Sequence, residues 1–127
     1  DPLKVARLEA ADVAVIKIAP LGGGRAVSRL VEELPMPLVI SSALETSFGL
    51  DYAARVACAL DQEPRACGLG TANLLAADTV LTPALIQDGC MIPSELSLNE
   101  ALVSEAPTDS SLTQSWAERL AEMAHYQ

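Results

Sequence analysis

Two short apolar runs, Val13 to Ile18 and Leu38 to Ser41, stand between longer stretches in which apolar residues recur at helical spacing. Both runs are rich in β-branched residues and predict strands that are covered on both faces, as in parallel sheets. The longer stretches predict helices over 25–34 and 47–60. This part of the chain therefore alternates strand and helix, as α/β proteins do.

A third strand is expected at Arg65 to Gly70, because strand, loop and helix recur about every 25 residues along this part of the chain. Right-handed crossovers make the strands of such a repeat parallel. The tail has a different character, since Asp88-Gly89 lies between two short apolar runs and predicts a β-hairpin.

Helices are also predicted at both ends of the chain. Residues 1–11 carry apolar side chains near the helical period, with Asp1 as the cap. Ser111 to His125 predicts an amphipathic helix, capped by Ser110 or Ser111. The polar residues 94–110 predict no definite form.

Composition narrows the class of protein. Half of the 127 residues are hydrophobic, which excludes a disordered chain. A net charge of −9 excludes nucleic acid as a partner, because a surface that gathers phosphates is basic. No apolar stretch approaches the ~20 residues that a membrane helix needs, so we expect no membrane partner. Three cysteines, with no CxxC pair and a single histidine, predict buried, reduced thiols in a cytoplasmic protein rather than a zinc site.

Residues that can carry chemistry stand at the C-terminal end of each predicted strand, the edge at which parallel α/β proteins place their active sites. Lys17 belongs to the first strand, Ser41-Ser42 to the second and Gly68-Leu69-Gly70 to the third. The lysine either points into a pocket, as an acid/base group or a cation facing a developing anion, or extends its ammonium into water. Together, a cation, two hydroxyls and a bare backbone predict a pocket for a small anionic substrate.

The polar features also have simpler interpretations. Ser41 and Ser42 can end a strand or cap the next helix, and a single distant histidine, His125, does not support a Ser-His-Asp nucleophile. Gly22-Gly23-Gly24 precedes a helix and either forms a flexible turn or holds an anion, but it lacks the pattern of a nucleotide-binding loop.

With these residues in place, residues 1–78 resemble the C-terminal part of the o-succinylbenzoate synthase family, within the enolase superfamily, and look most like its actinobacterial branch. The resemblance lies in three motifs in a fixed order and spacing, VAVIKIAPLGG at 13–23, VISSALET at 39–46 and ACGLGT at 66–71. The tail resembles the family only loosely, through its hairpin.

The resemblance implies part of a (β/α) TIM-type barrel with a capping domain. Residues 1–82 would form the last three βα units, and residues 83–127 the hairpin, polar segment and terminal helix near the capping region. It also implies a lyase of menaquinone biosynthesis, a Mg²⁺-dependent enzyme that dehydrates 2-succinyl-6-hydroxy-2,4-cyclohexadiene-1-carboxylate to o-succinylbenzoate. Lys17 matches the family's second active-site lysine, whose ammonium lies against the anionic intermediate. The loops that line the family's substrate pocket match Ser41, Ser42, Gly68, Leu69 and Gly70.

The family's Lys-x-Lys motif and its three acidic metal ligands precede the position of Asp1, so no base and no metal ligand is assigned to this chain. Because the sequence lacks an initiator methionine and an eight-stranded barrel takes roughly 250 residues, we expect a fragment that is inactive without the N-terminal half of the enzyme. Two alternatives stay open: a non-catalytic small α/β anion-binding domain, and a related N-acylamino acid racemase.

Overall fold

A computed structural model describes residues 2–63, 65–105 and 109–124. Its helices are α1 (Pro2–Arg7), α2 (Ile18–Leu21), α3 (Gly24–Glu33), α4 (Ser47–Ala59), α5 (Glu100–Glu105) and α6 (Ser110–Ala124), with a 3₁₀ turn at Thr71–Leu74. Its strands are β1 (Ala14–Lys17), β2 (Leu38–Ser41), β3 (Ile86–Gln87) and β4 (Cys90–Met91). The predicted cap Asp1 and the predicted helix end His125 lie outside the described residues.

β1 and β2 pair in parallel and are joined by a connection that contains α3, which confirms the predicted strand–helix–strand order. In place of the predicted third strand there is a single parallel bridge between Ser41 and Gly68. Gly68 donates its N–H to the Ile40 carbonyl at 2.9 Å, and its own carbonyl accepts the Ser42 N–H at 2.9 Å. The segment at Gly68 therefore lies beside β2, on the side opposite β1.

The two faces of the β1–β2 sheet differ in burial, which corrects the prediction that both faces are covered. Ile16, Leu38 and Ile40 are buried in the hydrophobic core together with side chains of α3 and α4. On the other face Val15 is 64% exposed, and Lys17 is exposed as well. Within residues 2–63, 65–105 and 109–124, helices pack against one face, and the second face is open to solvent.

The core side of the sheet is covered by the helical stripes that the sequence predicts. Val27 of α3 and Leu50 of α4 are fully buried, and Ala53 and Ala54 let α4 approach the sheet closely. Burying a leucine side chain fully contributes roughly 1.5–3 kcal/mol. This contact fixes the two helices behind the strands whose ends carry the candidate site.

Two predicted elements near the N-terminus are shorter than expected. β1 ends at Lys17 because Ile18 begins α2, a single turn that contains Pro20. Proline is tolerated in the first turn of a helix, where its missing N–H has no intrahelical partner. α1 ends at Arg7 rather than Ala11, and Glu9 then takes a positive φ of 50°.

The predicted hairpin is confirmed. β3 and β4 pair antiparallel, and the residues between them, Asp88 and Gly89, have φ angles of 50° and 77°. Positive φ at both central residues is the property of a type I′ turn, which Asp-Gly favours. The cysteine prediction is wrong in one respect, since Cys58, Cys67 and Cys90 are free but exposed.

The predicted terminal helix is present as α6, but its cap is Asp109 rather than Ser110 or Ser111. The Asp109 carboxylate accepts hydrogen bonds from the Ser111 hydroxyl at 2.6 Å and the Ser111 N–H at 2.8 Å, and these bonds lower the pKa of Asp109. The apolar stripe of α6 is more than half exposed at Leu112, Trp116, Leu120 and Met123. Part of the polar region predicted without form is helical, as α5.

Candidate functional site

Lys17 and Ser41 come together at the C-terminal ends of β1 and β2. They are register partners in the parallel pair, so they project from the same face, the open one. Gly68 follows on the other side of Ser41. The structure thus brings a lysine, a hydroxyl and a glycine backbone into one row across three neighbouring chain segments.

Gly68 lies so close to Ser41 that a side chain at residue 68 would displace the Ser41 hydroxyl. A Cβ placed at position 68 would lie 2.8 Å from the Ser41 Oγ, shorter than real Cβ contacts. The Ser41 hydroxyl in turn donates a long hydrogen bond of 3.5 Å to the Gly68 carbonyl. The position of this hydroxyl therefore depends on the absence of a side chain at residue 68.

Ser42 and Leu69, two of the five predicted pocket residues, turn away from the open face. Ser42 is 3% exposed, and its Oγ lies 2.9 Å from the Thr71 Oγ1. Leu69 is 6% exposed and belongs to the core. The predicted substrate contacts of these two residues remain predictions, and their side chains face the protein interior. Gly70 is exposed, and a Cβ placed at this position would lie 3.6 Å from the Ile86 Cδ1 of the hairpin.

The start of α4 is fixed by Ser47 and Asp78, a pair that no pattern in the sequence singles out. Thr46, at the cap position, makes no side-chain capping bond. Instead the Asp78 carboxylate accepts the Ser47 N–H at 3.1 and 3.2 Å and the Ser47 hydroxyl at 2.5 Å. The first N–H groups of a helix lack intrahelical partners, so a carboxylate at this point stabilises the helix.

The pKa of Asp78 is shifted by its burial and by its hydrogen bonds. Burial acts to raise it, but hydrogen bonds from the Ser47 hydroxyl and amide and from Thr79 outweigh the burial, so the pKa lies below its ordinary value of 3.8. Asp78 is therefore ionised at neutral pH and acts as a hydrogen-bond acceptor only.

The glycine run before α3 forms a turn, and the first N–H group of α3 is already hydrogen-bonded within the chain. Gly22 and Gly23 take positive φ angles of 94° and 98°, as turns require. The Gly24 N–H donates to the Tyr52 hydroxyl at 2.9 Å. This contact favours the interpretation of the run as a turn over that of an anion site.

An apolar cavity of about 630 Å³ lies on the helix side of the sheet, away from the candidate site. It is bounded by β2, α4 and the β3–β4 hairpin, and all three cysteines line it. Neither Lys17 nor Ser41 contributes to its wall. The cavity is therefore separate from the row formed by Lys17, Ser41 and Gly68.

The strand ends do not offer the ligands of a divalent cation. Mg²⁺ prefers carboxylate oxygens, whereas the residues at these strand ends are Lys17, Ser41 and Gly68, none of which has a carboxylate. Across residues 2–63, 65–105 and 109–124, no cluster of three or more His, Cys, Asp or Glu residues can hold a metal. In the same part of the chain no helix has the length and hydropathy to cross a membrane.

Comparison with known proteins gives matches over nearly the whole chain. It is 45% identical over 121 residues to an o-succinylbenzoate synthase from Thermobifida fusca, and 40% identical over 120 residues to one from Mycobacterium ulcerans. These matches cover 95% and 94% of this chain but only 37% and 36% of the relatives, in their C-terminal part. The chain thus spans little more than a third of the length of these relatives. No family model matches it.

Solved structures match the fold over most of the chain. Muconate cycloisomerase from Pseudomonas fluorescens superimposes with a TM-score of 0.72 and 28% identity, over 81% of this chain and 31% of that protein. A variant of the protein MLE superimposes with a TM-score of 0.71 and 28% identity, over 84% of this chain and 32% of that protein. These matches confirm the predicted fold class, the C-terminal part of a TIM-type barrel.

Proposed function

We propose that this chain is the C-terminal part of an o-succinylbenzoate synthase, a lyase of the enolase superfamily. The proposal starts from the similarity over nearly its whole length to enzymes of that name. Residues 1–82 then contribute the last three βα units of a barrel, and residues 83–127 return toward the capping region. The open face of the β1–β2 sheet becomes the inner wall of that barrel, which the rest of the enzyme closes.

The complete enzyme dehydrates 2-succinyl-6-hydroxy-2,4-cyclohexadiene-1-carboxylate to o-succinylbenzoate, a step of menaquinone synthesis in the cytoplasm. Mg²⁺ supplies charge stabilisation in this reaction, and its ligands belong to the N-terminal half, because the strand ends of this chain do not fit a divalent cation. This chain contributes binding and electrostatic groups. By itself it is expected to be inactive.

Lys17 is the charged group that this chain contributes. Removing the proton next to the substrate carboxylate leaves an anion, and a cation placed in advance beside that anion stabilises it more strongly than water does. Lys17 is placed for this role because it projects from the open face at the C-terminal end of β1. The similarity carries the proposed activity, and this placement, in register with Ser41, is the single observation that carries the role of Lys17.

The neighbouring groups suit the anionic ends of the substrate. The Ser41 hydroxyl can donate a hydrogen bond to a carboxylate, and the bare backbone at Gly68 and Gly70 lets the substrate approach closely. Ser42 supports this edge indirectly, through its contact with Thr71. The predicted binding set therefore divides into residues that face the substrate and residues that hold them.

The proposal is tested by Lys17→Ala in the complete enzyme. We expect kcat to fall by about 10²–10³, the typical loss when one preorganised stabilising group is removed. Lys4→Ala is the matched control, since Lys4 is an exposed lysine on α1, and it should leave kcat unchanged. Dehydration is measured at saturating substrate and Mg²⁺. A Lys17→Ala enzyme with nearly normal kcat would show that Lys17 is a solvated surface residue.

A further inference from the structure

The loop between β2 and α4, residues 42–46, is fastened at both of its ends to one other segment of the chain. At its start, the Ser42 Oγ lies 2.9 Å from the Thr71 Oγ1. Just past its end, Ser47 is bound through both its amide and its hydroxyl by the carboxylate of Asp78. The 42–46 loop is thus held between the two ends of the segment 71–78, which directly follows Gly68–Gly70.

Within this loop the backbone takes a conformation that needs external support. Leu44 has a φ of 71°, in the left-handed region that residues with a Cβ rarely adopt, and its side chain is exposed. The Ala43 N–H donates to the Glu45 carboxylate at 2.6 Å, which closes a tight local turn. Such backbone strain persists where the surroundings determine the conformation.

Asp78 is the group on which most of that support converges. Beyond its bonds to Ser47, one of its oxygens accepts the Thr79 N–H at 2.7 Å. The hydroxyl of Ser47 also accepts the Ala84 N–H at 2.8 Å, and Ser47 is fully buried. The Asp78 carboxylate and the Ser47 hydroxyl together thus join the start of α4 to Thr79 and Ala84.

We propose that Asp78 is a positioning residue, which caps α4 through Ser47 and thereby sets the place of the 42–46 loop relative to Gly68–Gly70. The carboxylate does not face the open side of the sheet, because its oxygens are engaged by Ser47 and Thr79. It therefore acts on the substrate pocket through the loop. This inference rests on the proposed function, in which that edge of the sheet binds the substrate.

The test compares Asp78→Asn with Asp51→Asn in the complete enzyme. Asp51 is also an aspartate bound by hydrogen bonds at α4, to the Ser94 N–H at 2.8 Å and to Arg55, but none of these bonds reaches the 42–46 loop. We expect Asp78→Asn to raise KM about tenfold or more while kcat, per folded active site, changes less than about threefold. Asp51→Asn should lower Tm and leave KM unchanged.

Ser47→Ala is the second variant, since it removes one hydroxyl and keeps the amide bond. We expect a smaller rise in KM than for Asp78→Asn, and no further rise when the two substitutions are combined, because both remove the same link. If Asp78→Asn does not fold, the KM of Ser47→Ala alone tests the inference. An unchanged KM together with a lowered Tm would overturn the inference, because it would show a purely structural bond. Absence of dehydratase activity in the unmodified enzyme would instead refute the proposed function.

Discussion

Gly68→Ala is a perturbation whose effect follows from one measured approach. A Cβ at residue 68 would lie 2.8 Å from the Ser41 Oγ and 3.4 Å from the Ser41 Cβ. The Cβ contact is at the edge of the ordinary range, so the hydroxyl is the group that must move. Because φ at Gly68 is not positive, the substitution adds no backbone strain, and its effect is the displacement of the Ser41 hydroxyl.

The size of the effect differs between stability and activity. The hydrogen bond from Ser41 to the Gly68 carbonyl is long, 3.5 Å, so losing it costs little, and overpacking of this kind costs about 1–3 kcal/mol at most. If the hydroxyl binds a substrate carboxylate, its displacement removes a hydrogen bond to a charged group, worth about 1.5–3 kcal/mol. We therefore expect kcat/KM to fall by roughly 10- to 150-fold.

Steady-state dehydration by the complete enzyme measures this loss, with Tm recorded in parallel. In a Ser41→Ala background, Gly68→Ala should cost much less, because the displaced hydroxyl is already gone. A loss of kcat/KM from Gly68→Ala that is the same with and without the Ser41 hydroxyl would refute the steric explanation.

Two further predictions concern stability. Gln62 accepts the Leu38 N–H at 2.9 Å and donates to the Leu38 carbonyl at 2.6 Å, so Gln62→Ala should lower the free energy of unfolding by about 1–3 kcal/mol in denaturant titrations; an unchanged midpoint would contradict this. Asp78 has a lowered pKa, so its contribution to stability is present above the ordinary value of 3.8 and is lost as the pH falls through the folded-state pKa. Acid unfolding of Asp78→Asn should accordingly lack that part of the pH dependence, and identical acid profiles for the variant and the unmodified enzyme would contradict it.

The alternation of strands and helices was predictable because each element leaves a local pattern. The stripe of Leu50, Ala53 and Ala54 predicted α4, and Asp88-Gly89 predicted its own turn type. The burial of each sheet face was not predictable. An apolar run indicates that a strand avoids water, but it does not show which parts of the protein cover the strand. Val15 is apolar and yet exposed, because the part of the chain that the structure describes leaves its face open.

The part of the site that parallel strand pairing determines was predictable from the sequence. Lys17 and Ser41 had to meet, because both end neighbouring parallel strands. Side chains alternate between the two faces of a strand, so Ser42 lies on the opposite face from Ser41. The prediction that both hydroxyls line one pocket did not use this signal. The bond between Ser47 and Asp78 spans 31 residues with no period or motif connecting them, and only the folded chain reveals it.

One face of the β1–β2 sheet is buried and the other is exposed, and this difference also suggests an order in which the chain folds. The buried face of β1 and β2 is covered by α3, which lies between them in sequence, and by α4, which follows directly. Contacts between elements that are close in sequence form quickly, since little loop-closure entropy opposes them. We therefore expect this half of the core to form before the face of Val15 and Lys17 is covered. If the proposed function holds, the wall that supports Lys17 forms before the rest of the enzyme closes the barrel in front of it.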